Sequence, residues 1–221
     1  MDNDLMIIQQ VYSRSNYANM LKLTMVRHLE YAMRHRMDYQ AIMCNVVKNH
    51  PFQPYLGDPE VPWGGWAKIV LIREALAAGY PYVVWIDADA IIWNTQADLR
   101  DVYKEMGDAS VGACQHPGPP VHLNVGVEYW RNTDRAKEFV VEWLSHIDGR
   151  YDNWLEQGVF NKMHADPQWA GIVARVNDKW NATKMAGTDV PDAIVRGYHG
   201  SINYTPLMRF QAMQADLASM V

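Results

Sequence analysis

Several things are scarce in this chain of 221 residues, and each scarcity excludes a class of protein. It has two cysteines, Cys44 and Cys114. Each lies in an apolar run without His or Cys partners at metal-ligand spacing, so they read as two buried thiols in a reducing compartment. No run approaches the roughly 18 apolar residues of a membrane span. The start, Met1-Asp2-Asn3-Asp4, lacks the basic lead and long apolar core of a signal peptide. A cytoplasmic location is therefore expected, for a chain that is either complete in itself or one domain of a longer protein. Basic residues are outnumbered, 20 Lys and Arg against 25 Asp and Glu, giving a formal charge of −5. That balance excludes a general nucleic-acid binder, which wants a basic face. Internal repeats and low-complexity tracts are missing too. Two Asn-x-Thr sequons, at Asn181 and Asn203, read as chance matches in a chain without a secretion signal.

What is present is a regular alternation of strand and helix signals. Leu5 to Tyr12 is a short apolar run suited to a buried strand, and Ser13 to Asn16 supplies turn and capping chemistry. Apolar residues then recur at helical spacing from Tyr17 to Met37. Tyr39 to Val47 predicts a second strand, and residues 49 to 65 a Pro- and Gly-rich loop. A helix is expected over Trp66 to Ala78, capped by Gly79. Tyr82 to Ile86 is a near-continuous apolar run, as in a strand buried on both faces. It breaks at Asp87-Ala88-Asp89-Ala90 and resumes at Ile91 to Trp93. Further along, helices are predicted over Ala97–Met106, Thr133–His146, Asn153–Met163 and Leu207–Leu217, and strands over Val111–Cys114, Leu123–Tyr129 and Val173–Val176. Gly187 to Arg196 reads as irregular. Such alternation predicts an α/β fold, a single domain with a mostly parallel central sheet flanked by helices. In such sheets ligands bind at the carboxyl ends of strands, where Asp87 and Asp89 fall.

Two carboxylates one residue apart can converge on a hard cation where a strand breaks into a turn. Mg²⁺ and Mn²⁺ favour oxygen ligands and keep positions open for phosphate oxygens. The pair interrupts an apolar run in which uncompensated charge is costly. The other reading is a solvated turn.

With these residues in view the chain resembles the GT-A glycosyltransferases, and within them the family of fungal galactosyl- and mannosyltransferases and plant xyloglucan xylosyltransferases. The resemblance rests on Trp66-Ala67-Lys68, Val84 through Ala90, Tyr31-Ala32 with His35, Leu123-Asn124-Val125-Gly126-Val127 with Arg131-Asn132, Glu156 through Phe160, and Tyr198-His199-Gly200. These run in the family's order over roughly residues 5 to 205. It implies a GT-A, Rossmann-like sheet, with a nucleotide-binding half over about 1–110 and an acceptor and metal-completing half over about 111–221. It implies a metal-dependent enzyme that transfers a sugar from a nucleotide diphosphate, UDP first, to a carbohydrate acceptor with retention of configuration. Asp87, Asp89 and His199 are implied as ligands of Mn²⁺ or Mg²⁺. Asn124 and Gly126 are implied at the sugars, the Asn offering donor and acceptor groups and the Gly close backbone approach. Gly200, beside the histidine, is implied in the donor site. Glu156-Gln157 stands where the family more usually has Asp-Gln. Glu156 is left to hold a sugar hydroxyl, face the anomeric carbon or cap a helix. Lys68 either braces the donor phosphates, pairs with an acidic residue or is solvated. Tyr12 either stacks on the base or is core, and Arg14 reaches phosphate.

Among the nine tryptophans, Trp63, Trp66, Trp154 and Trp169 lie in or beside loops as candidates for stacking on an acceptor sugar, while Trp85, Trp130 and Trp143 read as core. Three competing functions fit less well. A D-x-D phosphatase carries its pair after the first strand. A sugar nucleotidyltransferase wants a Gly-rich basic loop there, and Gln9 to Ser15 has no glycine. A non-catalytic sugar- or nucleotide-binding paralogue has no reason to keep Asp87, Asp89 and His199 together.

Overall fold

The structure is a computed structural model, and it describes residues 3–12, 16–44, 63–117, 121–149, 155–184, 191–199 and 205–220. Six strands form the main sheet: β1 (Leu5–Tyr12), β2 (Asp38–Cys44), β3 (Tyr82–Ile86), β5 (Val111–Gln115), β6 (Leu123–Arg131) and β7 (Val173–Arg175), in the order β2-β1-β3-β6-β5-β7. The pairs β1/β2, β1/β3 and β5/β7 are parallel, and β6 enters antiparallel between β3 and β5. A smaller sheet joins β4 (Ala90–Ile92), β9 (Val195–Gly197) and β8 (Ala182–Thr183).

Apolar alternation explains why the central strands read as unbroken hydrophobic runs. Ile8, Val83 and Trp85 bury against one face of the sheet, with α2 (Trp63–Ala77), α4 (Asp134–Ser145) and α5 (Leu155–Ala165) above them. Leu5, Ile7, Val84 and Ile86 bury on the other, against Tyr31 and Ala32 of α1 (Asn16–His35). Both faces are covered, so these strands are apolar on both sides except for the buried Gln9 and Gln10 near the end of β1. Helix α2 is apolar nearly all round, as a helix enclosed by neighbours must be. Cys114 is buried and free, and the side chain of Cys44 lies outside the described set.

Three expected elements differ in extent. Helix α2 starts at Trp63, three residues before the expected Trp66. The helix expected over Ala97–Met106 is a 3₁₀ turn, Leu99–Asp101, running into the short α3 (Val102–Glu105). Its start is delayed because Asp98 caps the amide of Arg100 and the Tyr31 hydroxyl donates to the carbonyl of Ala97. The stretch expected to be irregular up to Arg196 ends in the first two residues of β9, a strand too short to show a period in sequence. Helix α4 is capped by Thr133, which accepts from the amide of Ala136 at 3.1 Å. The last helix, α6 (Pro206–Ala218), is capped by Thr205 with proline in its first turn. No described helix is long and apolar enough to cross a membrane.

Candidate functional site

Asp87 directly follows β3 at the carboxyl edge of the parallel strands, and its backbone is fixed from two sides. Its amide donates to the carbonyl of Gly126 at 2.7 Å, and its own carbonyl accepts from the Gln9 side chain. Gln9 is itself locked, because its Oε1 accepts from Tyr39 and from the buried His28. His28 accepts the amide of Ile92 on its other nitrogen, so α1 and β1 hold both ends of the turn around the carboxylates. Trp85 donates its indole N–H to Asp87 Oδ1 at 2.7 Å.

Strand β6 reaches this turn through an irregularity. Ala113 pairs with Glu128, yet its neighbour Cys114 pairs with Asn124, so one step along β5 passes four along β6. The extra residues, Val125 to Val127, swing toward Asp87. Val125 is gripped at both polar groups, its amide by Gln157 Oε1 and its carbonyl by Lys68 Nζ at 2.7 Å. The small sheet delivers the histidine, since the amide of Tyr198, just past β9, donates to the carbonyl of Asp89. The result is a convergence over Gly126. A methyl group there would lie 2.6 Å from His199 Cε1, 2.9 Å from Asn124 Oδ1 and 3.2 Å from Asp87 Oδ2. Only glycine leaves that space open.

Asp89 is placed differently. It is buried, and its Oδ2 accepts from Arg209 of α6 at 2.8 Å. Arg209 also donates to the hydroxyl of Tyr17 on α1. The three residues expected as metal ligands are thus not gathered as a trio, and among the described residues no group of three or more His, Cys, Asp or Glu has ligating spacing. Asp87 and His199 converge, while Asp89 shares its charge with an arginine.

Lys68 lies beneath the site. It is 1% exposed and pairs with Glu128 and Glu156, each at 3.3 Å. Of the roles left open for it, the structure shows pairing with acidic residues. Glu128 is wholly buried and also accepts from the Trp130 indole. The Glu156 carboxyl packs against Gly65 in the first turn of α2.

The electrostatics follow from this crowding. Burial pushes Asp87 up to about 6, with Lys68 opposing and Asp89 reinforcing the rise. Burial likewise raises Asp89 despite Arg209. Glu128 is pushed up to about 7 by burial against the pull of Lys68. Burial alone would lower Lys68, but Asp87, Glu156 and Glu128 outweigh it and hold its proton firmly. His199 is pushed down to about 4 by burial, against the pull of Asp87, and is neutral at pH 7. With all ionised, four carboxylates (Asp87, Asp89, Glu128, Glu156) less two cations (Lys68, Arg209) leave two negative charges. A divalent cation would cancel that surplus, and carboxylate oxygen with neutral imidazole is a donor set that suits Mn²⁺ or Mg²⁺. The donor types suit such an ion, while among the described residues three of them are not gathered at ligating spacing.

Other expected residues find other places. Gln157 and Asn124 are at the site. Tyr12 ends β1 on the same edge as Asp87, its side chain outside the described set; Arg14, Gly200 and Trp154 lie outside the described residues, as does the side chain of Trp63. Trp66 and Trp169 are core and not acceptor platforms, at 0% and 2% exposure, because helix and sheet close over both. Asn132 donates to the carbonyls of Leu76 and Tyr80 and closes the end of α2. Four residues at the site were not picked out as site residues in sequence: Glu128, Asn181 (seen only as a sequon), Gly197 and Arg209. Glu128 carried a signal, a charge inside an apolar strand. Arg209, on an ordinary amphipathic helix, carried none.

A profile of nucleotide-diphospho-sugar transferases matches residues 64–191, more than half of the chain and the part that holds Lys68, both aspartates, Asn124 and Glu156. The chain belongs to the nucleotide-diphospho-sugar transferase family. A second profile, galactosyl transferases of the GMA12/MNN10 family, matches residues 5–106 of this transferase. No curated protein matches the sequence. In fold the transferase is similar to a glycosyltransferase involved in the glycosylation of the major capsid of PBCV-1, with a TM-score of 0.71 and 14% identity over 96% of this chain and 98% of that one. It is also similar to mouse xyloside xylosyltransferase 1 in its apo form, with a TM-score of 0.54 and 10% identity over 93% and 99%. The glycosyltransferase GlyE of Streptococcus pneumoniae gives a TM-score of 0.58 and 14% identity over 99% of this chain and 64% of that one. At such identities the likeness establishes the architecture alone, which is that of GT-A glycosyltransferases.

Proposed function

We propose that this transferase moves a sugar from a nucleoside diphosphate, UDP in preference to GDP, to a carbohydrate acceptor, with a divalent cation in the site and with retention of anomeric configuration. The observation that carries the reading is the convergence of Asp87 Oδ2, His199 and Asn124 over Gly126, at the strand edge where α/β sheets bind ligands. Asp87, His199 and the second oxygen of Asp89 would hold Mn²⁺ or Mg²⁺. Bound there, the ion supplies Lewis-acid stabilisation of the diphosphate leaving group. The two halves of the chain then divide the work. Residues up to about 110 supply the carboxylates and, in Tyr12 and Arg14, groups for base and phosphate. The remainder supplies His199, Gly200 and the acceptor side.

Asn124 Oδ1 already accepts two bonds, from the Gly126 amide and from Asn181, so its contribution to a sugar hydroxyl is as a donor through Nδ2. Gln157 Oε1 accepts one bond, from the Val125 amide, so its Nε2 donors and a remaining lone pair can serve a sugar hydroxyl. The state of Glu156 supports retention. An inverting enzyme needs a carboxylate base facing the acceptor, whereas Glu156 is paired with Lys68 and packed on Gly65.

Melting the chain against UDP, GDP and other nucleoside diphosphates, with and without Mn²⁺, tests the donor and metal together. At ligand a hundredfold above Kd, binding adds about 2.7 kcal/mol of stability, or roughly 5–10 °C for a chain of this size. The rise is expected with UDP, to require Mn²⁺ and to vanish in Asp87→Asn. No rise with any nucleotide sinks the donor site. Once a donor is found, the anomeric configuration of the product by NMR decides retention, and an inverted product returns Glu156 to the role of base.

A further inference from the structure

Asn181 ends the 3₁₀ turn Asp178–Asn181, is 2% exposed, and has both ends of its amide bonded inside the site. Its Nδ2 donates to Asn124 Oδ1 at 3.2 Å, and its Oδ1 lies 3.0 Å from His199 Nε2. The direction of this chain of bonds is not free. Asn124 Oδ1 also takes the backbone N–H of Gly126 at 2.7 Å, and a backbone amide can only donate. The Asn124 atom is therefore oxygen, the Asn181 atom facing it nitrogen, and the Asn181 atom facing the histidine oxygen. An amide oxygen only accepts, so His199 Nε2 carries the hydrogen, and the other ring nitrogen, Nδ1, keeps its lone pair. Gly197 makes room for the last bond, since a methyl group there would lie 2.7 Å from Asn181 Oδ1 and closer still to His199 Nε2.

We propose that Asn181 is a positioning residue: through the relay Gly126 amide–Asn124–Asn181 it holds His199 as the Nε2-protonated tautomer, so that Nδ1 is the nitrogen offered to the divalent cation. This rests on the metal reading of the site above. A ligating imidazole commonly donates its second N–H to a fixed acceptor, which sets ring orientation and basicity; loss of that acceptor typically costs 10–100-fold in metal affinity. Here the acceptor is a neutral amide whose orientation is set by a backbone N–H on the strand that also binds Asp87.

The test begins on the metal-free chain, where long-range ¹H–¹⁵N spectra at neutral pH, assigned with His199→Gln, read the tautomer directly. The native chain is expected to show His199 protonated at Nε2 alone, and Asn181→Leu to shift both ring nitrogens toward a tautomer average. Mn²⁺ titration followed by EPR is expected to show 10–100-fold weaker binding in Asn181→Leu and near-native binding in Asn181→Asp, which keeps the acceptor for Nε2–H. Should Asn181→Leu not fold, Asn181→Ser shortens the side chain out of reach of both partners and is read in the same way. Native His199 protonated at Nδ1, or ring shifts unchanged when Asn181 is replaced, overturns the proposal. A native chain that locks the tautomer yet binds no Mn²⁺ sinks the metal reading and leaves the positioning of His199 by Asn181 standing.

Discussion

Lys68 shows what a single buried cation does here. Its ammonium touches Glu128, Glu156 and the carbonyl of Val125, and its charge offsets that of Asp87. Removing it leaves buried carboxylates without compensation, a loss of about 3–5 kcal/mol in comparable cases. Lys68→Met is therefore expected to lower the urea midpoint sharply and to abolish turnover, and a variant of native stability would refute the pairing role. In sequence, Trp66-Ala67-Lys68 was legible as a motif but its burial was not, because the partners come from β6 and α5, tens of residues away. Asp87 and Asp89 were legible, since charge that breaks an apolar run needs a reason. Their inequality was not, because Arg209 is 120 residues from Asp89.

At the scale of elements, α6 is tied to the site by one side chain. Arg209 bridges Asp89 and Tyr17, joining the last helix to the aspartate turn and to α1. Arg209→Gln leaves the Asp89 carboxylate buried without its cation. The expected result is a lower melting temperature that Mn²⁺ restores in part, with a larger Mn²⁺-induced rise than in the native chain. An equal rise in both would separate Arg209 from the metal site. The main elements were readable because β1 and β3 are apolar runs and α4 repeats its apolar spacing over enough turns to show a period. Strands β8 and β9 were not, with two and three residues and pairing that only the tertiary fold supplies.

For the whole molecule, acid stability depends on how the two faces of the sheet bury ionisable groups. His28 is held neutral, pushed down to about 3 by burial. The unfolded chain, with an ordinary histidine near 6.5, binds more protons between those values. This contribution is complete above about pH 6.5 and is lost as pH falls toward 3, at up to about 1.4 kcal/mol per pH unit. Glu128, raised to about 7 by burial, works in the opposite direction, because it takes up its proton earlier in the folded chain than in the unfolded one. The raw pH curve therefore mixes both signs, and the difference between native and His28→Gln isolates the histidine. That difference is expected to shrink from pH 6.5 to 4 in urea titrations, and a constant difference would show that His28 does not titrate in this way. Composition and strand-helix order made the α/β class readable. The insertion of β6 antiparallel into the sheet was not, since strand order depends on contacts that a single sequence does not display.

Asn181 is also the first residue of an Asn-Ala-Thr triplet, and it is enclosed in the finished fold. A chain threaded into a compartment with oligosaccharyltransferase presents that triplet before it folds, whereas a chain made in a bacterial cytosol never meets the enzyme. A glycan on Asn181 would occupy the amide nitrogen that donates to Asn124, and would be too bulky for the space beside Gly197. The choice of expression host thus decides whether the protein can complete its own interior. Material secreted from a eukaryotic cell is expected to divide, by mass spectrometry, into an unmodified folded form and a glycosylated form that cannot close around His199.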